Sequence, residues 1–173
     1  MKVRKAAWVP LVLWMEIAAS AQEAPRAERF ADWEVVCSSA QGSSAPVSQS
    51  RKVDCRAVQR LTVQGSDETV FAVTIVRSDQ QAPVAIVSIP LGGYIARGIE
   101  LRVDGRNPYK LLVETCNAAG CHAGFPLSGP IPKEFRSGKL ASFRLWTAKD
   151  KSADVTVSLK GLADALVRLE RTS

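Results

Sequence analysis

The chain of 173 residues contains one histidine, His122, and no nucleophile-elbow pattern around any serine. A histidine general base needs a positioned nucleophile and an orienting carboxylate, and no motif supplies them, so a hydrolase of the Ser-His type is not expected. Lysine and arginine form no block and no aromatic–basic stripe. The net charge of +6 is therefore dispersed, and no nucleic-acid footprint follows from it. Gly92-Gly93 lacks a Walker pattern and reads as a tight turn rather than a phosphate cradle. No internal repeat is present. A bilayer-spanning helix takes about 20 apolar residues, whereas the longest mostly apolar stretch, residues 6–19, is shorter and carries Glu16.

What the N-terminus does contain is the layout of an export signal. Lys2, Arg4 and Lys5 precede the apolar stretch, and Ala19-Ser20-Ala21 places small residues at the positions a signal peptidase reads. Residues 1–21 are expected to be a signal peptide cut between Ala21 and Gln22. No cysteine follows that point, so a lipid anchor is not expected. Cleavage removes three basic residues and one acidic one and leaves about +4. Residues 22–29 are polar, lack apolar periodicity, and read as a flexible lead-in. Residues 30–173 are expected to form one domain, long enough to bury a core.

Four cysteines remain: Cys37, Cys55, Cys116 and Cys121. An even count in an exported chain argues for two disulfides. Three pairings are possible. Proximity favours Cys37–Cys55 and Cys116–Cys121, which by loop entropy contribute roughly 3 and 2 kcal/mol. Residues 38–50 are Ser-rich with Gly and Pro and read as a loop.

The rest of the chain alternates short β-patterned runs with turns. Residues 30–37 open with Trp33, Val35 and Cys37 on one face. Residues 70–77 and 84–89 are apolar on both faces, as in interior strands. Residues 99–103 alternate and end at Asp104-Gly105, a turn signal. Further strands are expected at 53–63, 109–116, 121–127, 140–147 and 154–159. Leu162, Leu166 and Leu169 have helical spacing. About nine short strands and a C-terminal helix predict an all-β sandwich or barrel.

Several of these segments together resemble the invasion-associated locus B family of bacterial exported proteins. The matching features are Phe30, Asp32, Trp33 and Cys37; Pro90 to Gly92; Gly98 to Gly105; Cys116 to Cys121 with its preceding Gly; and Leu159 to Leu169. Leu162 departs from the pattern, which more often has Phe there. The resemblance implies an immunoglobulin-like β-sandwich, a periplasmic or secreted location, and a link to host-cell entry. It implies no enzyme activity and no cofactor.

Other candidate sites have plainer readings. Cys116 and Cys121 could form a thiol-redox pair, but such motifs use two intervening residues at a helix N-terminus, and here there are four between strands. Zinc on Cys116, Cys121 and His122 is opposed by strand alternation, which turns adjacent residues to opposite faces. Asp32 and Trp33 could contact a ligand, although a Trp in this setting more often anchors a core. Tyr94, Tyr109 and Trp146 could form an exposed aromatic surface. The expected function is a non-catalytic envelope or secreted module contacting an unknown protein or cell-surface partner. The alternatives are a thiol-redox protein and a small-ligand carrier with an apolar pocket between the sheets. Oligomeric state stays open.

Overall fold

The structure, a computed structural model, describes residues 26–39, 53–77 and 82–171. The expected signal peptide, the Ala21/Gln22 cleavage point and nearly all of the Ser-rich loop lie outside them.

Eleven strands build two antiparallel sheets. They are β1 (Arg26–Phe30), β2 (Trp33–Ser39), β3 (Val53–Thr62), β4 (Thr69–Val76), β5 (Val84–Ile89), β6 (Ile99–Val103), β7 (Tyr109–Leu111), β8 (Thr115–Asn117), β9 (Gly120–Pro126), β10 (Leu140–Ala148) and β11 (Lys151–Ser158). One sheet has the order β1-β2-β3-β4-β5-β9-β8 and the other β11-β10-β6-β7. The result is a two-sheet sandwich of immunoglobulin-like architecture whose first five strands run as a meander. Two helices, α1 (Ile131–Ser137) and α2 (Leu162–Glu170), complete it.

The core follows from the period of two. Val73, Ile75, Ala85 and Val87 from the larger sheet face Leu101, Val103, Ala141 and Phe143 from the smaller one, all buried. Phe71 and Phe143 meet across the sheets at 5.1 Å between ring centroids. Seven strands cannot be covered by four. Accordingly α2 packs on β1, β2 and β3, burying Leu162, Ala165, Leu166 and Leu169. The leucine spacing seen in the sequence is this buried stripe.

Three sequence expectations change. Arg26–Arg29, read as part of a flexible lead-in, form most of β1, paired with β2 from Arg26↔Cys37 to Phe30↔Trp33. Its pairing with β2 and the Arg168–Glu28 ion pair from α2, at 2.7 Å, hold this edge strand, so no apolar alternation marks it, and its charged side chains suit an edge. Residues 109–116 are two strands, because the chain leaves the smaller sheet after Leu111 and joins the larger one at Thr115. The short helix α1 was not anticipated, since seven residues containing a proline show little periodicity.

The Asp104-Gly105 turn is a further structural anchor. Both residues have positive φ, 48° and 72°. The Asp104 carboxylate accepts N–H bonds from Lys139 at 3.1 Å and Leu140 at 3.0 Å, tying the turn to the start of β10. These backbone donors hold the carboxyl below its ordinary value of 3.8. The folded state therefore favours the anion. Its contribution is complete above the unfolded pKa and vanishes as pH falls through the lower folded one. Asn tolerates the left-handed backbone, so Asp104→Asn removes the charge with little change of shape. Urea midpoints should show wild type more stable than Asp104→Asn by a constant margin near neutrality, with the margin closing below about pH 4. A margin that widens on acidification would contradict this assignment.

Candidate functional site

The strand registers sort the loops onto two ends of the sandwich. At one end stand the β3–β4 hairpin, the β5–β6 loop, the β8–β9 hairpin and the β10–β11 turn. At the other stand the Asp104 turn, α1 and the start of α2. One disulfide braces each region. Cys116 and Cys121 are directly opposed on β8 and β9, and their sulfurs are bonded. Cys37 and Cys55 are directly opposed on β2 and β3, towards the α1 end, and are likewise bonded.

The first end gathers exposed apolar side chains. Among the described residues, eight large apolar side chains are exposed, and six of them belong here: Val63, Val70, Leu91, Tyr94, Ile95 and Leu112. Their loops are firmly held. Tyr94 donates its N–H to the Trp146 carbonyl at 2.7 Å. The Arg97 guanidinium lies 4.3 Å from the centroid of the Trp146 ring, a cation–π stack. A Cβ on Gly120, which has φ 133°, would lie 2.4 Å from the Ile89 carbonyl oxygen. Only glycine lets the Cys116–Cys121 hairpin approach the start of the β5–β6 loop so closely. The Pro90–Gly92 and Cys116–Cys121 motifs, 24 residues apart at their nearest, thus share one surface.

Of the three aromatics proposed as a surface, Tyr94 and Trp146 are brought together and Tyr109 is not. Tyr109 is half-buried, and its hydroxyl is pushed above its usual pKa by burial and by Glu134 of α1 beside it. Asp32 and Trp33 also separate. Asp32 is exposed, while Trp33 is 1% exposed and donates its indole N–H to the Ser158 carbonyl at 2.9 Å. His122 lies on the outer face of the larger sheet, with Nδ1 3.0 Å from the Ser88 hydroxyl. Among the described residues, no carboxylate bonds its ring, and no group of three His, Cys, Asp or Glu side chains is placed to hold a metal. The Cys116–Cys121 pair sits on strands, away from any helix N-terminus that would lower a thiol pKa.

The outer face of the smaller sheet is polar. Lys110, Glu100, Arg144 and Asp154 form one register row of alternating charge. Arg144 grips Asp154 through two bonds of 2.8 and 2.9 Å. That hydrogen bonding holds the Asp154 carboxyl below its usual range and raises Arg144. The row is an ordered solvent face. Between the sheets lie the buried core residues named above. A cleft opens beside α1 and α2, lined by Arg77, Pro83, Leu127, Arg136, Leu166 and Glu170 among others.

The disulfides carry a measurable share of stability. The bridges span sequence separations of 18 and 5 residues. By the chain-entropy relation, the Cys37→Ser/Cys55→Ser double variant should lose about 3 kcal/mol and the Cys116→Ser/Cys121→Ser variant about 2 kcal/mol. Chemical denaturation monitored by circular dichroism gives both numbers. The reverse order would show that loop closure is not how these bridges act.

Fold and bridges together define a class: a disulfide-pinned two-sheet β-sandwich with a docked C-terminal helix. Residues 33–170 match the invasion associated locus B (IalB) protein family, and the chain belongs to that family. It is similar in structure to invasion associated protein b from Bartonella henselae, with a TM-score of 0.69 and 21% identity, covering 84% of this chain and 95% of that one. At that identity the likeness concerns the fold. No curated protein matches the sequence. The family and the paired cysteines suggest an extracytoplasmic setting, and no described helix is long and apolar enough to cross a membrane.

Proposed function

We propose that this protein is exported, loses residues 1–21, and works in the periplasm or beyond as a non-catalytic module that grips a protein or cell-surface partner. The observation that carries the reading is the concentration of Val63, Val70, Leu91, Tyr94, Ile95 and Leu112 at one braced end. Exposed apolar side chains gathered at one end of a domain favour its use in interaction. Rigid loops bind with less ordering cost than mobile ones, and here the Cys116–Cys121 bridge and the Arg97–Trp146 stack supply the rigidity. The name of the Bartonella henselae neighbour makes host-cell entry one use to which such a contact could be put.

The experiment has two arms in the native host. Mass spectrometry of the recovered protein should find Gln22 at the N-terminus and thiols resistant to alkylation. Full-length protein in the cytosol with reactive thiols would overturn export. In the second arm, a photo-crosslinking residue replaces Ile95 or, as a control on the polar face, Ser142. A discrete adduct from position 95 and none from 142 is expected. Equal yields at the two positions, or none at 95, would rule out the apolar end as the contact surface.

A further inference from the structure

We propose that the cleft beside the two helices is a binding site for a short aliphatic carboxylate. It lies at the opposite end of the sandwich from the apolar loops and is independent of them. Its floor is apolar: Leu127, Leu166 and Leu169 are each at most 5% exposed, flanked by Pro83 and Pro132. Its rim is cationic. Arg77, just past β4, and Arg136, in the last turn of α1, both converge on one oxygen of Glu170, at 3.6 and 3.0 Å.

The charge count selects the ligand. Among the described residues, two guanidiniums share one carboxylate, so the described rim carries more positive than negative charge beside a leucine floor. Guanidinium recognises carboxylate through paired N–H donors and does so more strongly than it recognises neutral oxygen. A molecule that places an aliphatic body on the leucines and a carboxylate at the rim satisfies both halves. A neutral alcohol would satisfy only the floor. The volume, about 260 Å³, lies just below the range for drug-sized ligands, which starts at about 300 Å³. A short chain therefore fits, and hexanoate is a suitable probe.

Glu170 has a definite part in this arrangement. It occupies the guanidiniums when the cleft is empty and so competes with the incoming carboxylate. Two opposite effects follow. Arg77→Gln and Arg136→Gln should weaken hexanoate binding, each roughly tenfold if a full charge-assisted pair is lost. Glu170→Gln should tighten it. A purely structural role for this ion-pair cluster would not produce tighter binding on loss of Glu170.

The test is a titration of the oxidised, signal-free protein with hexanoate, 1-hexanol and N-acetyl-leucine, read from the methyl resonances of Leu127, Leu166 and Leu169. The expected result is saturable shifts with hexanoate, dissociating on the order of 1 mM as befits so small a ligand, and at least tenfold weaker effects with hexanol. Thermal melts of each variant establish that it is folded. Arg77→Gln is the safeguard should Arg136→Gln unfold, since its pair with Glu170 is the longer one. Absence of saturable shifts, equal binding of hexanol, or weaker binding to folded Glu170→Gln would each overturn the proposal. Tighter binding of N-acetyl-leucine would overturn it in favour of a peptide C-terminus as the occupant.

Discussion

Replacing Trp33 by alanine is expected to remove about 5 kcal/mol of stability, at least about a third of what a domain of this size has. The side chain is 1% exposed and sits on β2 among the core residues of the larger sheet. Deleting a buried Trp costs about 3–5 kcal/mol through lost transfer energy and the cavity left behind. A second cost adds to the first. The indole N–H reaches across to the Ser158 carbonyl, which ends β11 of the smaller sheet, at 2.9 Å. Alanine leaves that part-buried carbonyl without its donor, a penalty of about 1–3 kcal/mol. A domain of this size has about 5–15 kcal/mol in total. Trp33→Phe separates the two contributions, because it keeps most of the apolar body and loses the hydrogen bond. It should cost about 1–2 kcal/mol. Urea denaturation followed by far-ultraviolet circular dichroism, with both disulfides oxidised, measures each value. A loss below about 2 kcal/mol for Trp33→Ala would mean that this residue does not join the two sheets.

The legibility of Trp33 in the sequence has a simple origin. Strand alternation places Trp33, Val35 and Cys37 on one face whatever the rest of the chain does. The same local logic exposes β4, β5, β6 and the leucine stripe of α2. It fails where structure depends on partners distant in sequence. β1 is held by its pairing with β2, and Arg26-Ala27-Glu28-Arg29 carries no apolar mark of it. The run from Tyr109 to Cys116 looks like one strand because Leu111, Leu112 and Val113 are continuous and apolar. Yet Leu112 is 68% exposed at the crossing between sheets. The candidate surface shows the same division. Tyr94 and Trp146 could be suspected from their type. Their union with Val63, Val70 and Leu112 could not, because it exists only once the hairpins are stacked at one end. The cleft is less visible still. Arg77, Arg136 and Glu170 are ordinary surface residues until two helices and a strand end bring them together.

Gly161→Ala tests how the C-terminal helix is seated, and its expected cost is about 2–5 kcal/mol. Gly161 caps α2 with φ 88°, a left-handed backbone that costs a residue with a Cβ about 1–2 kcal/mol. Strain alone is the smaller part. A Cβ built at this position would lie 1.9 Å from the Phe30 carbonyl oxygen and 3.0 Å from the Ala31 Cβ. Those atoms belong to the β1–β2 turn, so helix and turn cannot both stay in place. Forced overpacking of this kind adds about 1–3 kcal/mol. Relief by displacement would draw Leu162, Ala165, Leu166 and Leu169 off β1, β2 and β3 and uncover the part of the larger sheet that four strands leave bare. Gly65→Ala provides the comparison. Gly65 has a similar φ of 84° with nothing within 4 Å of the added carbon, so it reports the backbone strain by itself. The difference between the two variants in chemical denaturation should therefore be at least about 1 kcal/mol, and hydrogen exchange in Gly161→Ala should show α2 opening before the sheets. Equal losses at the two positions would mean that the helix start does not press on the β1–β2 turn, and that α2 is held by its leucine stripe alone.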